Sequence, residues 1–149
     1  MLHQRKSYTE INKIYFFTAT IHKFRCLLND DIHKDLIVSY LQELSLKELI
    51  KVYGFVLMPN HIHLIWQQIN KNGKETAQGS FLKYTAHEFL KRLKEEGKSR
   101  EYEVTLANKK HQIWQRDSLS VEIYSRAVAR QKLDYIPVRL ARRAFQSCK

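Results

Sequence analysis

Val52-Tyr-Gly-Phe-Val-Leu-Met-Pro-Asn-His-Ile-His-Leu-Ile-Trp66 is an apolar run broken once, at Met58-Pro59-Asn60, and followed at once by two histidines. In a β-strand residues i and i+2 point to the same face, so His61 and His63 are expected to project side by side. Ile62, Leu64 and Trp66 then take the opposite face and enter a core. The break at Pro59-Asn60 is so short that the sequence admits two readings, a tight antiparallel pair or one long strand kinked at the proline. In either case two imidazoles stand on a rigid element, which suits a metal ion or a phosphate. The plainer alternative is a pair of histidines on the exposed face of an amphipathic strand.

Upstream, Ile14-Tyr-Phe-Phe-Thr-Ala-Thr-Ile21 is dense in aromatic and β-branched residues and reads as a first strand. Between Asp31 and Ile50 the residues Ile32, Leu36, Ile37, Tyr40, Leu41, Leu44 and Leu49 fall close to helical spacing, with Asp30 or Asp31 as N-cap. Lys51 to Met58 is a second strand and His61 to Gln67 a third. Gln68 to Gly79 is the most loop-like segment and is expected to be mobile. Ser80 to Glu96 follows as a second helix, with Phe81, Leu82, Tyr84, Phe89, Leu90 and Leu93 on its apolar face. His111-Gln-Ile-Trp-Gln-Arg116 is a fourth strand candidate. Ser125 can cap a last helix from Arg126 to about Ile136, where Pro137 stops it. This order predicts a ferredoxin-like βαββαβ sandwich of the α+β class, with a central antiparallel sheet and an additional C-terminal helix, as one domain over residues 1–149.

Composition narrows the partner. The 149 residues are 44% hydrophobic, enough for a core, and 26 Lys+Arg against 15 Asp+Glu leave a formal charge of +11. Such an excess favours a polyanion, nucleic acid before an anionic membrane surface, although a ribosome-associated protein would have the same balance. No apolar run approaches the roughly 18 residues of a membrane span and the N-terminus lacks a signal-peptide core, so a cytoplasmic protein with no membrane partner is expected. Cys26 and Cys148 lack the spacing of a zinc site and read as reduced thiols. Lys83, Lys91, Arg92 and Lys94 on the second helix are candidate phosphate contacts, as are Arg126, Arg130, Lys132 and Arg139 near the end. The alternative for each is a solvated helix face. Trp66 and Trp114 are core candidates before they are base-stacking platforms.

Other chemistries find little support. A histidine-triad hydrolase needs a third histidine where Ile65 stands. Ser80, Ser118 and Ser120 sit in no nucleophile elbow, and four glycines form no phosphate loop.

Gly54-Phe-Val-Leu-Met-Pro-Asn-His-Ile-His-Leu-Ile65 resembles the signature of the single-tyrosine transposases of the HUH superfamily, in particular the REP-associated tyrosine transposase branch of these insertion-sequence enzymes. Ile14 to Thr20 resembles that family's opening strand, Phe81-Leu-Lys-Tyr-Thr-Ala-His87 the start of its second helix, and Ile113-Trp-Gln-Arg-Asp117 its Trp-Gln segment. Gln131-Lys-Leu-Asp-Tyr-Ile136 resembles its tyrosine-bearing helix. The resemblance implies that His61 and His63 hold a divalent cation, Mg²⁺ or Mn²⁺, at a scissile phosphate of single-stranded or hairpin DNA. It also implies that Tyr135 is the nucleophile, forming a covalent 5′-phosphotyrosine and freeing a 3′-OH. A tyrosine has a pKa near 10, so such a cation would help make it nucleophilic. No nucleotide cofactor is needed.

The family's helix usually reads Tyr-Ile-x-Asn-Asn-Pro, with an amide ligand four residues after the tyrosine. Here Tyr135-Ile136 runs straight into Pro137 and Arg139 occupies that position. Gln131, one turn before Tyr135, is the candidate third ligand. Tyr124 is a rival nucleophile outside the Tyr-Ile context. The departure keeps a second reading open, a catalytically decayed or domesticated DNA-binding protein on the same scaffold. The resemblance admits a homodimer as well as a monomer.

Overall fold

The computed structural model describes residues 9–135, position 135 by its backbone alone. The strands are β1 (Ile14–Thr20), β2 (Ile50–Met58), β3 (His61–Gln68), β4 (Glu103–Leu106), β5 (Lys109–His111) and β6 (Leu119–Glu122). The α-helices are α1 (Asp31–Leu46), α2 (Ala77–Glu95) and α3 (Arg126–Tyr135). The main sheet has the order β2-β3-β1-β6 with every neighbour antiparallel, and β4 and β5 form a separate hairpin. Strands β1 and β2, joined through α1, are thus split by β3. This is the expected ferredoxin-like arrangement with a hairpin inserted and a helix added.

Pro59 and Asn60 form a two-residue turn, for Met58 pairs with His61 and the ladder runs on from there. That resolves the two readings in favour of a tight hairpin. The turn is fixed from outside, since the Pro59 carbonyl accepts from Leu28 N at 2.9 Å and the Asn60 carbonyl from Ile21 N at 2.8 Å. On the far side of β2 the register shifts between Val52 and Gly54, a bulge that leaves Tyr53 exposed.

Alternation along the strands divides the molecule into two unequal layers. Phe17, Ile62, Leu64 and Trp66 face α1 and α2 and join Ile37, Leu44, Phe81 and Phe89 in the main core. Phe16 and Ile65 face the other way and collect Ile14, Val56, Val121 and Ile123 in a smaller cluster. Helix α1 begins where the Asp30 carboxylate accepts from Ile32 N at 3.1 Å, a cap that stabilises a helix by roughly 1 kcal/mol. It ends at Leu46, earlier than the apolar spacing predicts, because Glu48 turns the chain at φ 57° and Ile50 already belongs to β2. Ile32, expected on the apolar face, is exposed.

Two boundaries differ from expectation for local reasons. Helix α2 starts at Ala77, inside the expected loop, because Thr76 Oγ1 accepts from Gly79 N at 3.0 Å. A side chain at position 79 would put its Cβ 3.1 Å from that hydroxyl, so glycine leaves the cap room. The fourth strand of the sheet is β6 and not His111 to Arg116. His111 closes the β4–β5 hairpin, and Ile113 and Trp114 are buried against the main core while only Trp114 bridges the sheet, at Ile21. Cys26 is disulfide-bonded, which corrects the expectation of a reduced thiol.

Candidate active site

His61 and His63 lie on the face of β3 turned away from α1 and α2. In the register His61 stands between Thr20 and Met58, and His63 between Thr18 and Val56. Both are buried, at 8% and 4% exposure, and not on an open strand face. Their ring centroids are 4.9 Å apart at an interplanar angle of 78°, and His63 also stacks on Phe16 at 5.1 Å.

The Nδ1 atoms are engaged. His61 Nδ1 is 2.6 Å from Asn60 Oδ1, and His63 Nδ1 is 2.8 Å from Thr18 Oγ1. An amide oxygen only accepts, so His61 Nδ1 carries the proton and its Nε2 presents a lone pair. The Nε2 atoms of both histidines are buried without a hydrogen-bond partner among the described residues. A buried polar atom left unpaired costs about 1–3 kcal/mol, which makes the juxtaposition of two such atoms informative. His22 and His33 also bury an unpartnered Nε2, but among the described residues only His61 and His63 set one imidazole against another.

Burial holds both imidazoles neutral. It lowers the pKa of His61, and burial followed by the neighbouring His61 ring lowers that of His63 to about 4. Neutral imidazoles whose Nδ1 atoms are engaged by Asn60 and Thr18 and whose Nε2 atoms have no partner among the described residues suit metal ligation, so the pair fits a divalent cation. The described residues contain no group of three His, Cys, Asp or Glu side chains able to hold a metal. Among the described residues, further ligands would be amides, water or substrate oxygens.

Helix α3 is capped by Ser125, whose Oγ accepts from Val128 N at 3.2 Å. It reaches the same face of the sheet, with Lys132 Nζ 5.6 Å from the Phe16 ring centroid. Phe16 thus neighbours both Lys132 and His63. Tyr135 is the last residue of α3, three positions after Lys132, and its side chain falls outside the described atoms. Gln131 is exposed and lines a surface hollow with Arg126, Arg130 and Asp134. Tyr124 is 79% exposed.

The basic candidates separate into two groups. Trp66 packs edge-on against Phe81, which puts α2 on the sheet face opposite the histidines, and with it Lys83, Lys91, Arg92 and Lys94. Lys83 is paired with Glu75 at 2.7 Å. Arg126, Arg130 and Lys132 are on α3, while Arg139 lies outside the described residues. Sequence reading missed Thr18, Phe16 and Asn60 as parts of the site. Asn60 adjoins the histidines in the chain, but Thr18 meets His63 only through the β1–β3 register.

No helix among the described residues is long and apolar enough to cross a membrane. No family model and no curated protein sequence matches the chain. Solved structures do. A REP-associated tyrosine transposase bound to a REP hairpin superposes with a TM-score of 0.56 at 19% identity, over 87% of this chain and 67% of that one. A candidate transposase from Deinococcus radiodurans R1 gives a TM-score of 0.52 at 14% identity, over 88% of this chain and 92% of that one. At these identities the likeness establishes a shared fold.

Proposed function

We propose that this protein is a transposase that cuts single-stranded, hairpin-bearing DNA and transfers the strand through a covalent 5′-phosphotyrosine, with His61 and His63 holding Mg²⁺ or Mn²⁺. The observation that carries the reading is the pair of buried, neutral imidazoles with adjoining unpartnered Nε2 atoms on a fold shared with two transposase structures. One of those structures is a complex with a DNA hairpin, in keeping with the +11 charge of this chain.

A bound cation would polarise the scissile phosphate and offset the charge gathering on its oxygens. Asn60 holds the His61 ring in the ligating tautomer, and Thr18 anchors the His63 ring through its Nδ1. The phenol oxygen of Tyr135 forms the new bond to phosphorus as the bond to the 3′ oxygen breaks. The phenol gives up one proton and the departing 3′ oxygen takes one up, so the exchange is balanced. A 3′-OH of another strand reverses it without an external energy source. Lys132, three residues before Tyr135 and close to the histidine face, is suited to a phosphate contact. Gln131, the candidate third ligand, lines the hollow shared with Arg130 and Asp134. The second reading is a DNA-binding protein on the same scaffold that has lost its chemistry.

Labelled single-stranded hairpin DNA incubated with Mn²⁺ and resolved on a denaturing gel separates the cases. A protein-linked 5′ product that disappears in Tyr135→Phe, His61→Ala and His63→Ala supports the transposase. A Tyr135→Phe variant with an unchanged adduct removes Tyr135 as nucleophile. Free cleaved DNA without an adduct indicates a nuclease, and tight binding of uncut DNA supports the non-catalytic reading.

A further inference from the structure

We infer that His33, buried in the first turn of α1, is a positioning residue for the histidine pair: it orients the peptide group that holds the Pro59-Asn60 turn, and through Asn60 it sets the ring of His61. One of its two readouts below rests on the metal reading above, and the other is independent of it. Residues 21–30 form the strap that grips the β2–β3 turn, with Ile21 N and Leu28 N donating to the two turn carbonyls. The strap is strained, for Lys23 and Phe24 both stand at φ 55° without being glycine. It also borders a cavity of about 530 Å³, lined by Arg25, Leu27, His33 and Tyr102 among others, so packing does not back it along that side. A segment in that condition keeps its place through specific ties.

His33 provides one of them. Its Nδ1 is 2.7 Å from the Leu27 carbonyl oxygen, which only accepts, so Nδ1 carries a proton. The same peptide group is trans and presents the Leu28 N–H on its opposite edge, and that N–H donates to the Pro59 carbonyl at 2.9 Å. A single peptide plane is thus clamped between His33 and the turn, and each of its two hydrogen bonds polarises the other. Beyond it, the Asn60 carbonyl accepts from Ile21 N at 2.8 Å while Asn60 Oδ1 lies 2.6 Å from His61 Nδ1. His33 is 3% exposed, its ring meets Phe89 edge-on at 5.1 Å, and its Nε2 has no partner among the described residues. A hydrocarbon side chain would fill the recess without orphaning a nitrogen, so stability alone does not call for an imidazole here. The donor at Nδ1 does.

Three substitutions at this one position separate the tie from the packing. His33→Leu removes the donor. His33→Asn keeps an N–H on the atom bonded to Cγ, where Nδ1 stood, and His33→Gln places its amide one bond further out, where Nε2 stood. All three lose the ring contact with Phe89. The ¹⁵N spectrum of the metal-free full chain reads which nitrogen of each imidazole carries the proton. In the unaltered chain His33 and His61 are expected to carry it on Nδ1. His33→Leu and His33→Gln should release His61 into a mixture of tautomers, and His33→Asn should retain the single one. Mn²⁺ affinity, measured by calorimetry, should fall about tenfold in the Leu and Gln variants, the lower end for partners outside the ligand set, and recover in the Asn variant. Phe89→Leu loosens the same recess without touching Nδ1, so it should lower stability with the His61 tautomer unchanged. A His33 proton found on Nε2 alone in the unaltered chain overturns the inference without any variant. Asn and Gln variants that behave alike overturn it too, as does a Phe89→Leu variant that releases His61. Should His33→Leu fail to fold, the Asn and Gln pair decides. If the unaltered chain binds no Mn²⁺, the metal reading fails while the tautomers still decide the role of His33.

Discussion

Thr18 and His63 are directly opposed in the β1–β3 register, and the Thr18 hydroxyl lies 2.8 Å from His63 Nδ1. The contact engages Nδ1 and leaves Nε2 as the unpartnered nitrogen of the ring among the described residues. Thr18→Val preserves the shape and removes the partner. Mn²⁺ affinity, measured by calorimetry, should fall about 10- to 100-fold, and unfolding free energy by about 1 kcal/mol. An unchanged Mn²⁺ affinity would mean that the contact orients nothing.

Acid should destabilise the metal-free protein through His63. Its pKa is about 4 in the fold against 6.5 when unperturbed, so between those values the unfolded chain binds more protons. Stability is therefore complete above pH 6.5 and declines as pH falls toward 4, by about 2–3 kcal/mol from this residue. His61, shifted in the same direction by burial, adds to the decline. Denaturant melts in EDTA at stepped pH should show the slope, and His63→Gln should flatten it.

Alkali acts at another place. Burial pushes the Tyr102 phenol up to about 12, with the Arg25 guanidinium 5.5 Å from its ring centroid partly opposing the shift. The fold retains a proton that the unfolded chain releases near pH 10, so stability holds below pH 10 and drains away as pH rises toward 12. The loss should reach about 2 kcal/mol. Tyr102→Phe should be insensitive over that interval in the same melts.

Thr85 and Trp114 form a buried pair at 3.0 Å, with the Thr85 hydroxyl donating in turn to the Phe81 carbonyl at 2.7 Å. Thr85→Val leaves the indole N–H without an acceptor and should cost about 1–3 kcal/mol. In the double variant Thr85→Val/Trp114→Phe the orphaned donor is gone, so the two losses should add to more than the double variant shows. Strict additivity would deny the coupling.

Long periodic segments were legible in the sequence, short ones were not. The alternation in Ile14 to Thr20 and His61 to Gln68 and the helical spacing around Ile37, Leu41 and Leu44 located the sheet and α1, because each repeats its signal several times. Leu119-Ser-Val-Glu122 offers too few apolar positions to be noticed, whereas Ile113-Trp114 is strongly apolar for another reason, burial against Phe81 and Phe89. The histidine pair was visible in the chain, but its burial was not, since Phe16 is brought over His63 only by the pairing of β1 with β3. The partner of His63 was hidden for the same reason, 45 residues away along the chain.

The alternation of β3 means that the interior and the imidazoles share one ruler. Shifting this strand by a single position against β1 would turn Ile62, Leu64 and Trp66 outward and bring His61 and His63 into the hydrocarbon interior. An insertion or deletion of one residue in His61–Gln68 would therefore abolish folding and the candidate chemistry together. A lineage that discards the chemistry while keeping the scaffold must do so by substitution, one side chain at a time. In β3 the traces of such decay would be replaced histidines on a strand of unaltered length.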